Sequence, residues 1–251
     1  MKKIILVGCN GKMGSVITSR IDSDENLQIV AGVDKFKGID RTYPVYSDIS
    51  EITDHADVII DFSNPGLLDS ILDFALKNKT AVVVGTTGID DDGIKRINSA
   101  ANEVPVFFTF NMSIGINLLV ELSKKAATVL GDDFDIEIIE QHHNQKIDAP
   151  SGTAFMLANA INDTLDGDMQ FSYDRHSKRA KRAKKEIGIH SVRGGNIVGE
   201  HEVIFAGTDE VIKLSHSARS KEVFALGAVN AAKFICGRSP RLYSMADIIG
   251  D

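Results

Sequence analysis

Three things are scarce in this chain of 251 residues: long apolar runs, cysteine, and any excess of positive charge. No apolar stretch approaches the roughly 20 residues that a membrane-spanning helix needs, which argues against a membrane protein. The start, Met1-Lys2-Lys3-Ile4-Ile5-Leu6-Val7, runs into a glycine turn without the small-residue cleavage site of a secretory leader, so a cytoplasmic location is expected. Cys9 and Cys236 are the only cysteines, far apart and without metal-type spacing, and reduced thiols are expected in place of a disulfide. Lysine and arginine number 28 against 35 acids, a net charge of −7 that argues against a general affinity for nucleic acid or anionic membranes. What is present is apolar content, 43%, enough to bury the core of one large or two modest domains.

Residues 3–7 read as a strand, Gly8-Cys9-Asn10-Gly11-Lys12-Met13-Gly14 as a turn, 15–21 as a helix, and 27–33 as a second strand ending on Asp34. A glycine-rich strand-to-helix turn followed about twenty residues later by an acid is the layout of a dinucleotide-binding fold. The glycines let main-chain amides approach a pyrophosphate, and the carboxylate accepts hydrogen bonds from a ribose. The spacing, G-x-x-G-x-x-G, is less specific than G-x-G-x-x-G. Asp34 repels a 2′-phosphate, whereas Lys12, Lys35 and Lys37 offset that charge, so NADH and NADPH are both expected to be accepted.

Alternation continues with strands at 56–60, 80–84 and 104–108 and helices at 65–76 and 91–101, the rhythm of a doubly wound, mainly parallel sheet. Ligands bind beyond the carboxyl ends of such strands. That puts Gly85, Thr86 and Thr87 on the nicotinamide side of a cofactor, with Thr109, Phe110, Asn111 and Met112 covering it. Hydroxyl-capped turns are the plain alternative for each tip.

From Ser113 the pattern changes. Residues 114–130 form a long amphipathic helix, and Asp135-Ile136-Glu137-Ile138-Ile139-Glu140 alternates like a strand with one buried face. The stretch 140–154 follows, and it is the expected active site. His142, His143 and Lys146 are placed on the loop leaving the strand. Pro150 and Ser151 signal a helix start, with Ser151, Gly152 and Thr153 as its opening turn and the helix running over 154–161. Unpaired N–H groups at such a turn, aided by the helix dipole, seat a carboxylate or phosphate.

Strands at 187–192, 199–205 and 211–217 and a helix at 220–235 complete the pattern. The expected fold class is α/β: a Rossmann-type doubly wound parallel sheet plus a smaller α+β domain with a mixed open sheet. Residues 1–113, completed by 219–251, make the dinucleotide-binding domain, and 114–218 the substrate domain. The basic run 175–185 is either a nucleic-acid arm or a solvated, anion-facing loop, and its lack of interleaved aromatics favours the loop. Arg193 is expected to contact a partner subunit or cap a loop. His55, His176, His190, His201 and His216 are expected to be structural.

Five segments, Gly8 to Gly14, Gly85-Thr86-Thr87-Gly88, Asn111-Met112-Ser113-Ile114-Gly115, the stretch 140–154, and His190 to Gly195 with Gly199-Glu200-His201, together resemble the dihydrodipicolinate reductase family over the whole chain. The 140–154 stretch is highly specific to that family. The resemblance implies a cytoplasmic NADH- or NADPH-dependent reductase of the diaminopimelate route to lysine, usually a homotetramer assembled through its second-domain sheets. It implies that His142 and Lys146 are catalytic, Lys146 as proton donor. His143, Gly152 and Thr153, with Ser151 beside them, are implied to hold the carboxylates of a small heterocyclic dicarboxylate. The cofactor contacts implied are Gly8, Cys9, Asn10, Gly11, Lys12, Met13, Asp34 with Lys35, Gly85 to Thr87, and Thr109 to Met112. Phe110 departs from the pattern, standing where the family more often has a small residue.

The chemistry agrees: reducing a conjugated cyclic imine leaves an electron-rich, enamine-like carbon that must be protonated, so the site needs a cation and an acid. Adjacent histidines without a third ligand at recognisable spacing argue against a metal. The competing class is a non-catalytic dinucleotide sensor.

Overall fold

The computed structural model describes residues 1–36, 38–177 and 179–250, so the expectations for Lys37 and Lys178 lie outside the described residues. Along the chain run β1 (Lys2–Val7), α1 (Lys12–Asp22), β2 (Leu27–Val33), β3 (Val45–Tyr46), β4 (Val58–Asp61), α2 (Leu68–Asn78), β5 (Ala81–Val84), α3 (Asp91–Ala100), β6 (Val106–Phe108) and α4 (Ile114–Leu130). There follow β7 (Asp135–His142), α5 (Gly152–Thr164), β8 (Gln170–Ser172), β9 (Glu186–Arg193), β10 (Gly199–Ala206), β11 (Val211–Ala218), α6 (Glu222–Ile235), β12 (Leu242–Tyr243) and α7 (Met245–Gly250). The chain divides into two compact units, Met1–Ile114 with Glu222–Asp251, and Gly115–Lys221.

The first unit holds a seven-stranded sheet in the order β12-β6-β5-β4-β1-β2-β3, every pairing parallel. Its central strands Val-Ile-Ile-Asp and Ala-Val-Val-Val are buried at every position, because helices cover both faces of a parallel sheet. Ile4, Leu6 and Ile60 pack with Ile17, Ile21, Ala228, Ala232 and Ile235 of α1 and α6 on one side. Ile5, Val7 and Ile59 pack with Ile71, Leu72 and Ile97 of α2 and α3 on the other. The edge strands β3 and β12 have two residues each, too few for a periodic signal. α1 starts at Lys12, three residues before its expected start, so the third glycine of the turn is helical.

The second unit holds a five-stranded sheet in the order β11-β10-β7-β9-β8, antiparallel from β11 to β7 and parallel from β7 to β8. Burial alternates along β7 and β10, so one face packs on α5 through Ile136, Ile138, Leu157, Ile161 and Val203. Two differences from the sequence pattern matter. Strand β7 runs two residues past Glu140, which puts His142 on the strand and not on the loop, and on the same face as Glu140. Strand β8 was not expected at all; it is a three-residue edge strand.

Candidate active site

In the first unit the sheet tips carry the groups expected to meet a cofactor. Gly8 has φ +79°, and a Cβ added there would lie 2.3 Å from the Phe62 carbonyl oxygen; one added at Gly14 would lie 2.1 Å from that of Gly8. Only glycine permits this packing. Gly11 is exposed and caps α1 without any side-chain hydrogen bond, leaving the helix start with Lys12 and Met13 accessible to an anion. Asp34 accepts from the main-chain N–H groups of Asn10 and Phe36, both at 2.9 Å, and so ties the acid to the turn. Lys35 is exposed beside it. The residues fit a dinucleotide: amides at a helix start, a carboxylate at the end of β2, and no side chain where a pyrophosphate would need close approach.

Not every expected contact is a side-chain contact. Cys9 is fully buried among core residues, burial pushing its thiol up to about 11, so its backbone alone is available. Met112 is likewise a core side chain. Thr86 is buried and accepts from Ser63 N–H at 2.9 Å, while Gly85 is packed beneath the Phe62 ring and Thr87 is exposed. The Thr109 hydroxyl donates to the Asn111 carbonyl at 3.1 Å, and Asn111 caps Ser113 N–H, which shapes that tip. Phe110 is 74% exposed, edge-on to Phe108 at 5.1 Å. Arg41, which no sequence signal marked, donates to Asn10 Oδ1 at 3.0 Å, Ser15 Oγ at 2.8 Å and the Cys9 carbonyl, adding a cation to the glycine turn.

In the second unit the expected stretch folds around a buried carboxylate. Glu140 is 0% exposed, and both its oxygens are engaged. The Arg193 guanidinium grips it in a fork, Nη1 to Oε2 at 2.8 Å and Nη2 to Oε1 at 2.7 Å. His142 Nδ1 lies 2.6 Å from Oε2, and Ser151 N–H donates to Oε1 at 3.1 Å. Burial alone raises the Glu140 carboxyl, but the Arg193 and His142 bonds outweigh it and hold it at about 2. Burial lowers His142 in spite of Glu140's pull, and the same cause takes His201 down to about 4.

Around this core, His201 Nε2 lies 3.0 Å from Ser151 Oγ and its ring is edge-on to His142 at 5.2 Å. Ser151 caps α5 by accepting from Ala154 N–H, so Gly152 and Thr153 open the helix as expected. Lys146 forms an ion pair with Asp148 at 2.8 Å, and Arg193 also donates to the Asp148 carbonyl, pinning the loop that carries the lysine. His143 is half-buried at the start of that loop.

Arg193 and His201 lie against this core and were not among the expected site residues. Glu140 falls inside the expected stretch, two residues before His142 on an alternating strand, but had no role assigned to it. Arg193 sits opposite His142 in the β7–β9 register, a pairing 51 positions distant in sequence that only the folded sheet reveals. His201, expected to be structural, touches the site through Ser151. Two arginines of the basic run are held internally: Arg175 and Arg182 pair with Glu137 on the other face of β7. Among the described residues no group of three potential ligands could hold a metal, and no helix is long and apolar enough to cross a membrane.

An all-parallel, dinucleotide-type sheet in one unit, and His142 bonded to buried Glu140 in the other, are the arrangement expected of a two-domain oxidoreductase. Family models described as "Dihydrodipicolinate reductase, N-terminus" and "Dihydrodipicolinate reductase, C-terminus" match residues 2–112 and 115–249. A 4-hydroxy-tetrahydrodipicolinate reductase of Caldanaerobacter subterraneus is 50% identical over 99% of this chain and 98% of its own, and one of Clostridium novyi is 49% identical over the same shares. A solved dipicolinate-bound dihydrodipicolinate reductase from Paenisporosarcina sp. TG-14 superposes with a TM-score of 0.84 at 25% identity, covering 99% of both chains. The chain belongs to the dihydrodipicolinate reductase family, a family of oxidoreductases in the diaminopimelate route to lysine.

Proposed function

We propose that the chain reduces 4-hydroxy-tetrahydrodipicolinate to tetrahydrodipicolinate with hydride from NADH or NADPH. The observation that carries this reading is the grouping, within one unit, of a histidine bonded to a buried carboxylate, an ammonium four residues later, and the start of a helix. Asp34 with the glycine turn would hold the ribose and pyrophosphate, and the nicotinamide when bound supplies the hydride. Lys146 delivers the proton that the reduced ring requires, exchanging its contact with Asp148 for the substrate. His143, Ser151, Gly152 and Thr153 seat a carboxylate at the start of α5, where the helix dipole favours an anion.

Three finer points belong to the same reading. Both nucleotides are accepted, since the Asp34 carboxylate, which opposes a 2′-phosphate, has Lys12, Lys35 and Arg41 nearby. The enzyme works as a cytoplasmic homotetramer, its second-unit sheets paired across subunits. The experiment is a spectrophotometric assay of cofactor oxidation with enzymatically generated substrate, run with each nucleotide in turn. Turnover with both supports the reading; no oxidation above the substrate-free rate with either one sinks it and favours a non-catalytic sensor.

A further inference from the structure

We infer that Glu140 and Arg193 are positioning residues that hold His142 in the Nδ1–H tautomer, so that its Nε2 presents a lone pair and acts as proton acceptor beside the donor Lys146. The inference rests on the proposed reductase reading for the role of His142, but not for its tautomer.

The argument is one of donors and acceptors. Both Glu140 oxygens receive hydrogen bonds from Arg193, and one also receives Ser151 N–H. A carboxylate so placed stays ionised and can only accept, so the 2.6 Å contact with His142 requires a proton on Nδ1. The ring's second nitrogen is then a free acceptor. Its surroundings agree, for it faces the backbone of Gly199, where an added Cβ would come within 3.1 Å of Nε2. A residue with no side chain keeps that edge of the imidazole open.

The charges facing His142 come from every side: Glu140 on its own strand, Arg193 from β9, His201 from β10, and Lys146 with Asp148 from the following loop. Burial does most to keep the ring neutral, Lys146 and Arg193 lower it further, and the Arg193 guanidinium also offsets the Glu140 charge. Glu140 without a cation beside it would draw a second proton onto the ring. With it, the imidazole is neutral near neutral pH, and burial acts in the same direction. Donor and acceptor are thus separated: as the 4-hydroxy substrate loses water, the imidazole takes a proton from the ring carbon beside the imine and returns it to the departing hydroxide, and after hydride transfer the ammonium protonates the reduced ring.

The test is nitrogen-15 NMR of histidine-labelled protein joined to kinetics. The wild type is expected to show the Nδ1–H tautomer of His142 at neutral pH, the reverse of free histidine's preference. In Glu140→Gln the amide oxygen answers Arg193 and its N–H₂ faces Nδ1, so the tautomer switches to Nε2–H. kcat falls about 10- to 100-fold, the usual cost of losing an orienting partner, with KM little changed. In Arg193→Gln, which removes the cation beside Glu140, the titration of His142 moves upward. An Nε2–H tautomer in the wild type overturns the inference without recourse to any variant. So does an unchanged tautomer in Glu140→Gln, a loss confined to KM, or an unmoved His142 titration in Arg193→Gln. If the tautomer is as expected but His142→Asn keeps full turnover, the catalytic reading of His142 fails while the positioning geometry stands.

Discussion

The two units build recognition by different means. In the first, the groups expected to meet a cofactor are mostly main-chain amides at a helix start, shaped by Gly8 and Gly14, while Cys9 and Met112 turn their side chains into the core. In the second, the site is made of side chains crowded about one buried carboxylate, with Arg193, His142 and Ser151 all bonded to Glu140. A backbone site is damaged by adding atoms, a side-chain site by removing charge. The contrast follows from the ligands proposed for each: a pyrophosphate is bound by many equivalent N–H dipoles, whereas proton transfer needs particular atoms at particular protonation states.

The sharpest test of this contrast is Lys146→Ala. Turnover should fall about 10²- to 10⁴-fold, the range for losing a positioned proton donor, with nucleotide affinity unchanged by fluorescence titration. A parallel loss of nucleotide affinity would blur the division between the units. Next comes Arg193→Ala, which strands a buried carboxylate and should cost about 3–5 kcal/mol in chemical denaturation. A change under about 1 kcal/mol would mean that water reaches Glu140 freely.

Acid offers a third test. His201 is held at about 4 against an ordinary 6.5, so below pH 6.5 the unfolded chain binds the proton more readily than the folded one. Stability of the second unit should therefore fall as pH drops from about 6.5 to about 4. Glu140, held at about 2 against 4.5, contributes stability that is complete above 4.5 and is lost as pH falls toward 2. Hydrogen exchange of β7 and β9 amides reads this locally, and His201→Gln should flatten the upper part of the slope. A flat wild-type profile between pH 6.5 and 4 contradicts the buried, neutral histidine.

Two glycines give smaller effects that separate the units most cleanly. Gly8→Ala, at positive φ and against the Phe62 carbonyl, should cost about 1–3 kcal/mol and weaken nucleotide binding together with the fold. Gly199→Ala should leave the melting temperature within a few degrees while lowering kcat about tenfold, because its methyl crowds His142 Nε2 and adds roughly 1.4 kcal/mol to the barrier. Equal stability losses in both variants would erase the distinction.

Much of this was legible in the chain. The strand–glycine–helix–acid order, the alternation of 135–140, and the capped turn at Ser151 each rest on local physics, so elements such as β2 and α4 emerged with the bounds read from the pattern. The exceptions came from strand pairing. His142 was assigned to a loop because Gln141-His142 extends β7 with polar residues, and a hydrogen-bonded neighbour on each side keeps the strand going where apolar alternation has stopped. β3, β8 and β12 are two or three residues long and exist because a longer strand beside them offers its edge.

Sequence alone determined the layers and the dinucleotide-type turn, and pointed to the histidine and lysine of the proposed site, because periodicity, turn chemistry and a fifteen-residue motif are written along the chain. Tertiary structure decided that Glu140 is buried, that Arg193 grips it across the parallel β7–β9 pair, that His201 reaches Ser151, and that Arg175 and Arg182 answer Glu137. The reason is physical: burial and register arise from pairing segments some fifty residues apart, and no local pattern encodes which charge will be left to neutralise which.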